Sequence, residues 1–115
     1  MTLLKPTLRD RLADAVGPLT GLWNASGSPV SAEILAAAGA DMLVVDGEHG
    51  PIELAELRAI LQATESYATV PLVRVPQLCR TRIQQILDVG AQNILVPMVS
   101  SADQAREAAA ALRYP

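Results

Sequence analysis

The chain has 115 residues, half of them hydrophobic, and a net charge of −3. That length suits one small domain, and the acidic balance excludes the basic stripe of a nucleic-acid binder. A single cysteine, Cys79, excludes an internal disulfide, and no apolar run approaches the roughly 20 residues of a membrane span, so a cytoplasmic protein with neither nucleic-acid nor membrane partners is expected.

The N-terminus "MTLLKPTLRDRLADAVG" has no apolar core followed by a small-residue cleavage site, and so is not a signal peptide. Its Leu4, Leu8, Leu12 and Val16 fall on one helical face, with Gly17 placed to end that helix. "PLTGLW" follows as a short apolar segment ending at Trp23, and "NASGSP" is a turn cluster. Ser28 and Pro29 suit an N-cap and first helical position for "VSAEILAAAG", which Gly39 stops. "DMLVVD" is a continuous apolar run rich in β-branched residues and reads as a strand buried on both faces.

The alternation then repeats. "PIELAELRAILQATES" is an amphipathic helix with Leu54, Leu57, Ile60 and Leu61 on one face, and "VPLVRVP" is a strand. "CRTRIQQILDVG" carries Cys79, Ile83, Ile86 and Leu87 at helical spacing, and "NILVPMV" is a strand. "SADQAREAAAALR" opens with a capping box from Ser101 to Gln104 and places Ala105, Ala108, Ala109 and Leu112 on one face. "AGADMLVVD" and "VGAQNILVP" align as a weak internal repeat, each a helix ending at Gly-Ala before a strand.

Strand and helix alternate four times at roughly 25-residue intervals, the pattern of parallel βα units. Two architectures accommodate it: a doubly wound open sheet or a (β/α)8 barrel. "LWNASGSP" has no G-x-G-x-x-G after the first strand, which removes the signal of a doubly wound nucleotide-binding domain. A barrel takes about 250 residues, so four units make half of one, and the stop at "RYP" reads as a cut chain.

In both architectures chemistry gathers at the C-terminal ends of strands. Those ends deliver Trp23 and Asn24, then Asp46, Glu48 and His49 from "LVVDGEHGP", then Arg74, then Pro97 and Met98. Asp46 and Gly47 also suit a structural turn, yet a buried apolar strand has no structural need for Asp-Gly-Glu-His at its exit. His49 and Arg74 fall on adjacent strand ends facing one rim. Arg74, between Val73 and Val75, is costly there without an anion or an acidic partner, and Asp46 or Glu48 of the next strand can be that partner. Trp23 is either a core aromatic at the rim or a wall of the substrate pocket. Cys79 reads as a small apolar helix residue, since no second histidine exists to activate it. Asp46, Glu48 and His49 are also metal-ligand types, but one short loop rarely supplies three ligands, which favours His49 as a base with the carboxylates around it.

With "GLWNA", "SAEILAAAGADMLVVDGEHGP", "VPLVRVP", "IQQILDVGAQNILVPMVSSADQA" and "RYP" in view, the chain resembles the HpcH/HpaI family of metal-dependent, class II pyruvate aldolases. The resemblance runs from about Leu19 to Pro115 and rests on the combination of "DGEH", "VRVP" and "LDVGAQNILVPMV" rather than on any one motif. It implies an α/β fold, the N-terminal half of a (β/α)8 TIM barrel, with residues 1–115 as half of a single aldolase domain. It implies a lyase that cleaves a 4-hydroxy-2-oxo acid reversibly to pyruvate and an aldehyde in the breakdown of aromatic or sugar acids. It also implies a divalent metal (magnesium, manganese or cobalt) and a homo-oligomer, a trimer or hexamer, when full length.

By the same resemblance His49 is the base on the C4 hydroxyl, Arg74 holds the 2-oxo oxygen as it becomes an enolate, and Asp46 and Glu48 sit near metal-bound waters. Asp88 of "LDVG" matches an acid that pairs with the histidine. The family's metal ligands belong to later strands, beyond Pro115, so no residue of this chain is named a ligand. The chemistry agrees: retro-aldol cleavage needs a base and an electrophile, and the only lysine, Lys5, precedes the first strand, leaving a metal rather than a Schiff base. Asp88 lies in the last turn of its helix, about 13 Å along the axis from Cys79 at 1.5 Å per residue. It therefore belongs at the barrel's bottom. If it pairs with a His49, that histidine belongs to another subunit; otherwise Asp88 is a solvent-facing or locally bonded acid. The alternative to an aldolase is a truncated, inactive fragment with a folding or interaction role.

Overall fold

Every strand-forming run in the chain is followed by a helix that returns antiparallel to it, so successive strands can pair only in parallel. The computed structural model, which describes residues 4–114, follows that rule. After α1 (Leu8–Asp14) come β1 (Gly21–Asn24), α2 (Pro29–Ala37), β2 (Met42–Asp46), α3 (Leu54–Thr64), β3 (Val70–Arg74), α4 (Arg80–Asp88), β4 (Ile94–Leu95) and α5 (Ala102–Ala111). The strands form one parallel sheet in the order β1-β2-β3-β4.

Registration and alternation sort the strand residues. Leu43 and Val45 of β2 and Val73 of β3 lie on one face, in a core with Ala32 of α2, Leu57 and Ile60 of α3, Ile83 and Ile86 of α4, and Ala111 of α5. Thus α2 to α5 all cover the same face. A single helical layer is what successive right-handed crossovers in one direction produce, and it is a barrel wall rather than a doubly wound sheet. The opposite face carries Trp23, Val44, Asp46, Leu72 and Arg74.

Local signals explain most element ends. Ser28 Oγ accepts the Ser31 N–H and Pro29 occupies the first turn of α2, while Gly39, at φ 87°, ends it. Glu53 and Glu56 make a reciprocal capping box at the start of α3.

Five details differ from the sequence reading. Helix α1 is only Leu8–Asp14, begun by a Thr7–Asp10 capping box, and buries none of its residues; Leu4, Leu12 and Val16 are exposed. Four hydrogen bonds hold this N-terminal segment at the base of the sheet: Lys5 Nζ to Thr64 O (2.7 Å) and Thr69 O (3.5 Å), Leu8 N to Asn93 Oδ1 (2.8 Å) and Arg11 Nη2 to Ala68 O. Cys79 is the N-cap of α4 and not one of its helical residues. Ser101 Oγ accepts the Gln104 N–H, but the Gln104 side chain accepts from Ser100 N and Oγ, so the return half of that box is shifted by one residue. The covered face of α5 is Gln104, Ala108 and Ala111, with Leu112 and Ala105 exposed. Strand β4 is two residues long, because Val96 to Ser100 leave the sheet through Met98 in the left-handed region (φ 58°).

Candidate active site

β2 and β3 end in register, with Asp46 beside Arg74, so the pairing places an acid and a guanidinium on one face of the sheet at its C-terminal rim. Arg74 Nε donates to Asp46 Oδ1 (3.0 Å) and Nη2 to Oδ2 (2.6 Å), a two-pronged pair whose acid is 3% exposed. Arg74 Nη1 lies 3.0 Å from Glu48 Oε2. Trp23, from the neighbouring β1, donates its indole N–H to Asp46 Oδ2 (3.0 Å), and the guanidinium carbon sits 4.9 Å from the centre of its ring. The tryptophan is 54% exposed at the open rim.

Asp46 is saturated. Besides Arg74 and Trp23 it accepts the backbone N–H groups of Glu48 (3.0 Å) and His49 (3.1 Å) on Oδ1. The Arg74 guanidinium holds its carboxyl far below the usual carboxylate range. The N–H groups of His49, Trp23 and Glu48 add to that pull, while burial opposes it. Reciprocally, the Asp46 partner raises the Arg74 guanidinium above its already high ordinary value. The charges of Asp46 and Arg74 are therefore fixed at neutral pH.

The glycines of "DGEHG" make this folding possible. Gly47 N donates to Arg74 O (2.8 Å), and a Cβ on Gly47 would stand 2.7 Å from that oxygen. Gly50 N turns back onto Asp46 O (3.2 Å), and a Cβ there would meet the same oxygen at 2.5 Å. Composition pointed to the charged residues, whereas the close-approach role of these glycines becomes visible only in the paired strands. Their signal in the sequence was their spacing around Glu48 and His49.

His49 lies in the same loop with its side chain 73% exposed; its Nε2 is 3.8 Å from Glu48 Oε1, beyond hydrogen-bond reach. Asp88 is not with this group. It ends α4 at the opposite end of the layer and accepts a hydrogen bond from Tyr114 Oη (2.8 Å), which raises the tyrosine's pKa. Asn24 points the other way, into the helical side, where Oδ1 accepts Ser26 N (3.0 Å) and Oγ (2.7 Å) and shapes the loop after β1. Met98 leaves the rim exposed. Trp23, Asp46, Glu48, His49 and Arg74 thus gather at one rim. Among the described residues no three His, Cys, Asp or Glu side chains converge as a metal site.

The geometry has clear parallels. Residues 19–115 match the family model described as HpcH/HpaI aldolase/citrate lyase. A hydroxypyruvate/pyruvate aldolase of Delftia acidovorans is 49% identical over 98 residues, covering 85% of this chain and 36% of its own. A 4-hydroxy-2-oxo-heptane-1,7-dioate aldolase of Salmonella dublin is 46% identical over 112 residues, with coverage of 97% and 42%. The crystal structure of an HpcH/HpaI aldolase/citrate lyase family protein from Burkholderia cenocepacia superposes with a TM-score of 0.89 at 36% identity, over 94% of this chain and 43% of that one. The chain spans less than half the length of these relatives.

Proposed function

Because the chain belongs to the HpcH/HpaI aldolase/citrate lyase family, we propose that the protein is a carbon–carbon lyase acting on a 4-hydroxy-2-oxo acid and releasing pyruvate and an aldehyde. Its four βα units correspond to the N-terminal part of that family's TIM barrel, and we read residues 1–115 as half of one aldolase domain. The observation that carries the activity is Arg74, braced by Asp46, Glu48 and Trp23 beside an exposed His49.

Such bracing prepares a fixed donor. Of the five N–H groups of a guanidinium, Asp46 takes two, and Glu48 lies 3.0 Å from Nη1 as an ion-pair partner, so N–H groups on the terminal nitrogens remain for a substrate oxygen. Held on three sides, those donors need no reorganisation as the 2-oxo oxygen gains enolate charge, an effect worth about 10²–10³ in rate. His49, free of side-chain hydrogen bonds, accepts the C4 hydroxyl proton as the carbon–carbon bond breaks. Trp23 walls the same space. Lys5 is tied to Thr64 O at the far end of the sheet, and burial lowers its pKa there, so this chain brings no lysine to the rim for a Schiff base.

The family's chemistry implies a divalent metal, magnesium, manganese or cobalt, to polarise the 2-oxo group. The described residues do not fit a complete site for one: Asp46 has both oxygens occupied, and Glu48 is tied to Arg74. Its ligands would come from outside them, with Asp46 and Glu48 as neighbours of its waters. Asp88, at the opposite end of α4, would orient a His49 only from another subunit, which favours a homo-oligomer.

The test is pyruvate release from 4-hydroxy-2-oxo-heptane-1,7-dioate by a full-length version of the protein, since the 115-residue chain alone is expected to be inactive, with each metal, with and without chelator. Metal-dependent release that Arg74→Lys lowers about 10²-fold or more is the expected result. A pyruvate adduct trapped by borohydride would replace this mechanism with a Schiff base.

A further inference from the structure

Strand β1 ends in an asparagine where alternation asks for an apolar residue. Leu22 packs against the core, and Asn24, two positions on, shares its face and is 2% exposed. A buried amide there is costly unless its polar atoms are paired. Only one end of it is. Oδ1 accepts Ser26 N (3.0 Å) and Ser26 Oγ (2.7 Å), while Nδ2 is buried and meets no partner among the described residues. The orientation of the amide is fixed, because the Ser26 N–H can bond only to its oxygen. A buried donor left unpaired works against stability, so the role of Asn24 lies in what its oxygen holds.

That oxygen shapes the chain after β1. Ser26 Oγ in turn accepts Ser28 N (3.2 Å), and Ser28 is the N-cap of α2, so residues 24–28 form one bonded run. The run lies backbone to backbone against the β2–α3 loop. A Cβ on Gly27, which sits at φ 70°, would stand 2.7 Å from Pro51 O. A Cβ on Gly50 would stand 3.1 Å from Ala25 O and 3.2 Å from Ala25 Cα. Neither contact has room for a side chain, so a shift of one loop is passed to the other. His49 is the residue before Gly50. Its imidazole has no hydrogen bond among the described residues, with Nε2 3.8 Å from Glu48 Oε1. Backbone alone therefore sets its place: upstream Asp46 Oδ1 accepts its N–H (3.1 Å), and downstream Gly50 rests on the loop that Asn24 shapes.

We propose that Asn24 is a positioning residue for His49. Its amide oxygen holds the β1–α2 loop in the shape against which Gly50 and Pro51 pack, and that packing sets the histidine at the rim. This role rests on the reading of His49 as the base of an aldolase, and it is exerted from the helical side of the sheet, through backbone rather than through the Arg74 cluster.

The test is made in a full-length version of the protein. Asn24→Leu fills the space, removes the unpaired amide and leaves the donors of the exposed Ser26 to water. Its urea midpoint is expected to hold or rise, while kcat for pyruvate release falls about tenfold or more and KM stays within about twofold. Amide exchange is expected to quicken at Glu48, His49 and Gly50 and to stay unchanged in β2 and β3. Asn24→Asp keeps an oxygen for both bonds and is expected to restore kcat and protection together. If Asn24→Leu fails to fold, Ser26→Ala, at an exposed position, carries the same readouts. Unchanged kcat in the folded variant would overturn the proposal. So would exchange that quickens equally throughout the sheet while the midpoint falls with kcat, the pattern of a purely structural residue. An unaltered full-length protein that releases no pyruvate would overturn the aldolase reading instead; exchange at Glu48 to Gly50 indifferent to Asn24→Leu would then overturn this one.

Discussion

Asp46 is the residue on which the rim turns, because one buried carboxylate holds a guanidinium, an indole and two backbone N–H groups. Its folded pKa is depressed, so the stability it contributes is present above its unfolded value, about 3.9, and is lost as pH falls through the folded value. The expected outcome is a urea midpoint that is flat from pH 7 to about 5 and falls in more acid solution, with Asp46→Asn flattening that acid limb. At neutral pH the same substitution leaves Arg74 without its main partner, and a loss of about 3 kcal/mol is expected. Equal acid sensitivity of the two proteins would show that other carboxylates govern it. Glu48 remains beside Arg74 in that variant, which limits the loss.

At the scale of elements, the β2–α3 loop does more than connect. Gly50 lets it fold onto the exit of β2 and against the loop after β1, where a Cβ would meet Asp46 O at 2.5 Å and Ala25 O at 3.1 Å. Both obstacles are backbone, so the loop must shift. Gly50→Ala is expected to cost about 1–3 kcal/mol and to move His49, lowering turnover beyond what stability explains; chemical denaturation alongside the assay separates the two. A variant with unchanged stability would show the loop to be loose. Helix signals were legible at this scale because caps and stops are local: Ser28, Pro29 and Gly39 bound α2 as their chemistry demands. The extent of α1 was not, since Leu4 and Val16 match a helical period but nothing packs on them, and periodicity without a partner face does not extend a helix. The covered stripe of α5 was misplaced for a related reason: in a run of alanines the apolar pattern is nearly uniform, so the sheet chooses the face.

For the whole molecule, the N-terminal segment closes the end of the wall opposite the rim without burying a residue of α1. Asn93 is the bolt, accepting Leu8 N through Oδ1 and donating Nδ2 to Pro71 O (3.1 Å). Asn93→Ala is expected to cost about 1–2 kcal/mol and to free α1 first: its amides exchange faster while those of β2 and β3 keep their protection. Uniform acceleration would mean that the segment and the sheet open together.

Residue order alone determined the alternation of four strands and helices, the rim where strands end, and the residues gathered there. Those features follow from the period of apolar residues, from turn chemistry and from the handedness of the chain. Tertiary structure decided what depends on distance between segments. It chose the barrel wall over the doubly wound sheet by putting every helix from α2 to α5 on one face. It turned Arg74 toward Asp46, Glu48 and Trp23 together, where the sequence offered single partners. It also set Asp88 against Tyr114, at the other end of the layer from His49. A local pattern specifies how each element forms, whereas hydrogen-bond reach between elements 20 to 30 residues apart in the chain exists only once the sheet registers them.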